Sequence, residues 1–193
     1  PTFVKSRPIN SNNKNSILLK LNQVKLFHLI SDSKKFENKK NQAVWRGDVR
    51  NNSFRERFIK KFYTSPLFDI GQTNPQKDVH WMKSFMSIED QLDYKFIFCL
   101  EGKCISTNLF WAMSSNSVCV MPRPKYESWF MEGKLKDGVH YIQVKNDFSD
   151  AEAKIDYYKN RNDMCIEIIN NANKFVEQFK DQKRERLIQL LIL

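Results

Sequence analysis

YKFIFCLEGKCISTNLFWAMSSNSVCVMP, residues Tyr94 to Pro122, is the stretch on which the fold turns. Tyr94 to Leu100 is an apolar run rich in aromatics, the pattern of a strand buried on both faces. Glu101-Gly102-Lys103 breaks it. From Ser106 to Asn116, Leu109, Phe110 and Met113 recur at helical spacing. Val118 to Met121 is a second short apolar strand, stopped by Pro122 and Pro124. Two apolar strands joined through a helix make a βαβ unit, and hence a parallel sheet. In such sheets ligands sit outside the carboxyl ends of the strands, faced by helix N-termini. The Glu101–Asn108 turn is therefore the first place to look for a binding site.

The flanking sequence repeats the alternation. Ala43 to Gly47 reads as a short strand, Phe54 to Tyr63 as a helix capped by Ser53, and Leu67 to Ile70 as a strand closed by Gly71. Trp81 to Ile88 is a short amphipathic segment, and Ser87 with Asp90 suits the start of a helical turn. Downstream, the aromatic-rich Tyr126–Met131 is predicted to be helical and Val139–Val144 to be a fifth strand. Ser149–Tyr158 is predicted as a helix with Asp150 and Glu152 in its first turn, which suits the macrodipole. Asn162–Phe179 is predicted as a long amphipathic helix that buries Cys165, Ile168, Ile169, Ala172, Phe175, Val176 and Phe179. Leu187–Leu193 is apolar enough to dock on a core or an interface. The sum is an α/β chain with a doubly wound, Rossmann-like parallel sheet over residues 41–193. Residues 1–40 do not fit this alternation. Pro1–Pro8 looks extended, an Asn/Ser-rich loop follows, and Ile17–Ile30 suits helix or strand equally. Ser31–Gln42 is a Lys-rich connector anchored by Phe36. These residues read as the end of another domain, or as a linker that packs back.

A chain of 193 residues that is 41% hydrophobic and 28% charged is a folded protein rather than a disordered one. Its net charge of +10 suits phosphate-bearing partners: nucleic acid, an anionic membrane surface or a phosphorylated small molecule. A solvated Lys-rich surface accounts for the charge equally well. The lysines are scattered rather than clustered in one arm, which argues against a dedicated nucleic-acid binder. Cys99, Cys104, Cys119 and Cys165 form no CxxC pair and lie far from His28, His80 and His140, so no zinc spacing is present. Reduced thiols and a cytosolic location are expected. No apolar stretch approaches the ~20 residues that span a bilayer, and no signal-peptide pattern is present. The first residue is Pro1 rather than Met, as expected of a fragment or a processed product.

Four predicted strand ends carry polar groups: Arg46-Gly47-Asp48, Gly71-Gln72, Glu101-Gly102 and Pro122-Arg123. Gly47 and Gly102 would let the backbone approach a ligand. Ser106, Thr107 and Asn108 open the following helix, so hydroxyls and free N–H groups would converge on an anion. Arg46 and Arg55 add fixed charge suited to a diphosphate. The pattern points to a phosphorylated ligand, although ordinary caps and surface arginines share the same spacing. Neither GxxxxGK[ST] nor GxGxxG is present, so a P-loop is excluded and the usual dinucleotide fingerprint is missing. Other features read as structural. Glu127 and Glu132 suit a solvated helix face, Cys104 has no neighbouring His, and His140 suits a part-buried strand position. Trp81, Phe85, Trp111, Trp129 and Phe130 suit the core.

Taken in order, PTFVKSRPI, NSILLKLN, VWRG, YKFIFCLEG, STNLFWAMSSNSVCVMP, ESWF and VHYIQVKNDFSD resemble glycosyltransferase family 90. The likeness is nearest to its bacterial branch, the lipopolysaccharide A glycosyltransferases, which are related to eukaryotic protein O-glucosyltransferases. The resemblance implies a two-domain GT-B fold of which this chain is the C-terminal, nucleotide-binding half. It implies an inverting transfer of a sugar, glucose or xylose in many members, from a UDP-sugar to a hydroxyl without a metal or other cofactor. By the same resemblance Arg46 and Arg55 would face the donor diphosphate, and Gly102 to Asn108, with Gly47 nearby, would cradle the nucleotide. Asn108 stands about where the eukaryotic relatives carry an arginine, which leaves Arg46, Arg55 and Lys103 to balance the phosphate charge. The base that deprotonates the acceptor is expected ahead of the region resembling PTFVKSRP, so no catalytic residue is named here. Lys5 and Arg7 would belong to an interdomain cleft. The implied partners are a lipopolysaccharide or surface-glycan acceptor and the anionic inner membrane, with no nucleic acid. The alternative is a truncated or non-catalytic nucleotide-sugar-binding module.

Overall fold

The alternating apolar runs become the strands of one parallel sheet. A computed structural model describes residues 1–10, 12–21, 26–49, 51–75 and 79–192. Three short strands come first: β1 (Thr2–Val4), β2 (Ser6–Pro8) and β3 (Ser16–Leu18). Then follow β4 (Lys40–Gly47), α1 (Ser53–Phe62), β5 (Phe68–Gln72), α2 (Ile88–Gln91) and β6 (Tyr94–Phe98). After these come α3 (Leu109–Met113), β7 (Val118–Pro122), β8 (Tyr126–Ser128) and β9 (Ile142–Val144). The helices α4 (Ala151–Tyr158), α5 (Asn162–Glu177) and α6 (Gln182–Ile192) close the chain.

The main sheet has the order β5-β4-β6-β7-β9, and every pairing in it is parallel. All five strands fall where the apolar runs predict them. The alternation of side chains splits the core in two. Ala43, Trp45, Phe96, Phe98 and Val120 face Phe58, Ile59 and Phe62 of α1, together with Ile155, Cys165 and Ile168. Val44, Ile97, Cys99, Cys119 and Met121 face α3, together with Phe130, Val176 and Phe179. Covering both faces is what lets parallel strands carry unbroken apolar sequence.

Five local predictions are corrected. Residues Tyr126–Ser128 are a strand, not a helix: β8 pairs antiparallel with β2, Arg7 opposite Glu127, which gives its backbone groups partners outside the main sheet. The helix foreseen over Ser106–Asn116 is only Leu109–Met113, because Ser106 to Asn108 are used in the turn. Asn52, not Ser53, caps α1, accepting a bond from Arg55 N at 3.0 Å. Gly71 lies inside β5 rather than closing it, and β9 begins at Ile142, leaving His140 in the preceding turn. Of the Ile17–Ile30 stretch, Ile17 and Leu18 belong to β3 and residues 22–25 lie outside the described residues. The first residues make contacts with later parts of the chain. β1 pairs parallel with β3, Lys20 forms a buried ion pair with Glu185 at 2.7 Å, and Asp32 pairs with Lys39 at 2.8 Å. On α6, Ile188 packs on the second core while Leu187, Leu190 and Leu191 are exposed.

Candidate functional site

A cavity of about 200 Å³ opens where β6 and β7 end. The turn after β6 supplies Glu101, Gly102, Ile105 and Ser106, and the end of β7 and the segment beyond it supply Met121 to Tyr126. Phe54, at the start of α1, and Asn146, just past β9, complete the wall, with Glu132 behind. This is the carboxyl-end position at which parallel sheets hold ligands.

The predicted residues divide into three groups. Gly102 and Ser106 line the cavity. Arg55 lies beneath it and serves the chain itself: its guanidinium donates to the carbonyls of Leu100 (2.7 Å), Glu101 (3.1 Å) and Asp48 (3.1 Å). A Cβ at Gly102 would come 3.1 Å from Arg55 Nη2, so the guanidinium packs close against this glycine. The expectation was that Gly102 would admit a ligand; what stands closest to it here is this arginine. Asn108 donates to the Phe98 carbonyl at 2.9 Å and accepts from the Ser106 hydroxyl, so it fastens the start of α3 to the end of β6. Thr107 is exposed and outside the cavity lining.

Arg46 and Gly47 lie away from the lining. Arg46 is ion-paired to Asp69 at 2.8 Å and also donates to the Asp69 carbonyl at 2.7 Å. Its Nε is buried without a partner among the described residues. Asp69 also accepts from Lys83 at 2.7 Å and from the Tyr94 hydroxyl. Burial alone would raise the Asp69 pKa, yet the bonds from Lys83, Tyr94 and Arg46 hold it well below the usual carboxylate range. Gly47 makes room for Trp45, whose ring would lie 2.5 Å from a Cβ at this position.

Much of the wall comes from residues not among the predicted donor contacts, Arg123 having been named only as a strand-end group. Arg123 and Lys125 bring positive charge to the cavity, and the Lys125 ammonium stands 5.7 Å from the centroid of the Phe54 ring. Arg123 was legible as a strand-end cation. Asn146 obeys the same rule one strand later. Nothing in the local pattern marks Lys125. Glu101 is pushed up by burial and pulled back by the N–H groups of Lys125 and Tyr126. Glu132 is not on a solvated helix face. It is 3% exposed, accepts from Ser128 N (2.6 Å) and Ser128 Oγ (2.8 Å), and burial pushes it up to about 7. Glu127 faces the other way, toward Arg7 at 2.9 Å. Phe85 is not a core residue and stands 80% exposed. Among the described residues no group of three or more His, Cys, Asp or Glu is placed to hold a metal ion.

Comparison with known proteins completes the picture. The sequence profile of Glycosyl transferase family 90 matches residues 17–184. The chain is 43% identical over 194 residues to the O-glucosyltransferase LpsA of Dichelobacter nodosus; the match covers 100% of this chain and 61% of that protein. It is 28% identical over 100 residues to Protein O-glucosyltransferase 1 of Rattus norvegicus, over 52% of this chain and 24% of that one. Among solved structures, the crystal structure of TarM superposes with a TM-score of 0.55 at 14% identity, over 86% of this chain and 37% of that one. That last likeness is one of fold, and it agrees with the Rossmann-like, GT-B reading of the sheet. The chain thus spans less than two thirds of its curated relative, and its core sequence belongs to glycosyltransferase family 90.

Proposed function

We propose that this chain is the donor-binding half of an inverting glycosyltransferase that takes a sugar, glucose first, from a UDP-sugar to a hydroxyl of a lipopolysaccharide or surface glycan. The observation that carries the reading is the cavity at the carboxyl ends of β6 and β7, with Ser106, Arg123 and Lys125 in its wall. Family membership and the full-chain likeness to an O-glucosyltransferase support it. The nucleotide occupies this cavity. Arg123 and Lys125 offset the diphosphate charge, and the Gly102–Asn108 turn, held rigid by Arg55 and Asn108, supplies hydrogen bonds from its exposed edge. Arg46 joins only if its pairing with Asp69 opens. We assign no residue of this chain as the base. In this reading it comes from chain ahead of the PTFVKSRP segment. Transfer proceeds without a metal, on the cytoplasmic face of the inner membrane, where the net charge of +10 favours an anionic surface. Among the described residues no helix is long and apolar enough to cross a membrane.

The second reading is a nucleotide-sugar-binding module without turnover, since the cavity accounts for binding while no base is assigned among its lining residues. Calorimetry with UDP, UDP-glucose and single-stranded DNA, followed by transfer and hydrolysis assays with and without EDTA, separates these. UDP binding with EDTA-resistant turnover is the expected result. Binding without turnover establishes the second reading, and absence of UDP binding removes both.

A further inference from the structure

We infer that Glu101 is a positioning residue of the cavity, fixing the backbone that presents Lys125 to the ligand. The inference rests on the donor reading above for what the cavity binds, and on hydrogen bonding alone for what Glu101 does. Glu101 Oε1 accepts from Lys125 N at 2.9 Å and from Tyr126 N at 3.1 Å. The segment these two groups belong to leaves β7 through Pro122 and Pro124, which have no N–H with which to anchor it. A carboxylate reaching across from the neighbouring strand end replaces the missing ladder bonds. On the far side of the same peptide the Lys125 carbonyl accepts from Ile9 N at 2.8 Å. Lys125 is thus gripped by its N–H from the turn after β6 and by its carbonyl from the chain next to β2, and its ammonium is left over Phe54.

Glu101 is itself well placed to act as a fixed point. Arg55 Nε donates to the Glu101 carbonyl at 3.1 Å, so the carboxylate extends from an anchored backbone. β7 is held by β6 and β9, and β8 by β2, without any help from this side chain. The two bonds therefore do little for the sheet and much for the shape of the cavity wall.

The test uses the chain described here and UDP as the probe, with Glu101→Ala, Glu101→Gln, Lys125→Ala and the double variant Glu101→Ala/Lys125→Ala. The glutamine amide oxygen can accept the same two N–H bonds, whereas alanine cannot. Glu101→Ala is expected to weaken UDP binding about tenfold, as loss of charge-assisted bonds implies, and Glu101→Gln to stay within about threefold of wild type. If Glu101 acts through Lys125, the double variant is no more than about twofold weaker than the weaker single variant. Equal losses in the alanine and glutamine variants, or fully additive losses in the cycle, overturn the inference. Hydrogen exchange without ligand gives an arm independent of the donor reading. The Lys125 and Tyr126 amides should be protected in wild type and Glu101→Gln and exposed in Glu101→Ala. Unchanged protection in Glu101→Ala overturns the positioning role even where UDP binds. No UDP binding to wild type, with the exchange pattern as expected, removes the donor reading and leaves the positioning role standing.

Discussion

Arg55 shows how one side chain can satisfy a sequence pattern for a different reason than the one the pattern suggests. Its three bonds go to main-chain carbonyls at the ends of β4 and β6, so the guanidinium welds the two strand ends beneath the cavity. Arg55→Ala removes these three part-buried charge-assisted donors and should cost about 2–3 kcal/mol of stability. It should weaken UDP binding as well, through the loosened turn. Urea denaturation beside calorimetry checks this: weaker binding with unchanged stability would mean that Arg55 touches the ligand directly. Glu132 gives a prediction in pH. Burial raises its pKa from 4.5 to about 7, so the folded chain holds this proton more tightly than the unfolded chain does. Its contribution is fully present below pH 4.5 and is lost as pH rises to about 7. That swing is roughly 3 kcal/mol. Glu132→Gln should flatten the fall in melting temperature across that window relative to wild type. An identical pH profile in the two proteins would show that Glu132 is not the group responsible.

At the scale of elements, what was legible in the sequence is what burial dictates. The five strands of the main sheet announce themselves because both faces are covered, so Phe96–Phe98 and Val118–Pro122 are apolar throughout. The strand β8 was not legible. Its sequence Tyr-Glu-Ser gives no period, and it is extended because β2, over a hundred residues earlier, pairs with it. The shortness of α3 was likewise hidden, since helical spacing continues through Ser106–Asn108 while the side chains there bond to one another and to Phe98. The candidate site was half legible for the same reason: strand-end positions follow from the sheet, but which side chains face the cavity depends on long-range bonds. Gly47 and Gly102 were expected to admit a ligand to the backbone; in the fold the side chains close against them are Trp45 and Arg55. Gly47→Ala tests this at the end of β4. With Trp45 only 2.5 Å from the new Cβ the indole must move, at a cost of about 1–3 kcal/mol. Near-UV circular dichroism should report the displaced indole, and an unchanged spectrum with unchanged stability would refute the account.

Across the whole molecule, a buried cluster joins Lys20, near the start of the chain, to the last helix. Lys20 pairs with Glu185 of α6 at 2.7 Å, and the Trp129 indole N–H donates to the same carboxylate oxygen at 2.6 Å. Both charges are almost wholly withdrawn from water, with 8% and 6% of their side chains exposed. A pair of this kind costs much of its attraction in desolvation, so its value lies less in net stability than in the penalty for breaking it on one side. Lys20→Met strands a buried carboxylate and should cost about 3–5 kcal/mol. Lys20→Met/Glu185→Gln removes the charge on both sides while keeping an acceptor for Trp129, and should recover most of that loss. The comparison by urea denaturation decides what holds these ends together. If the double variant is as unstable as Lys20→Met, packing of the lysine stem is responsible; if it recovers, the ion pair is the latch that ties residues 1–40 to the closing helix.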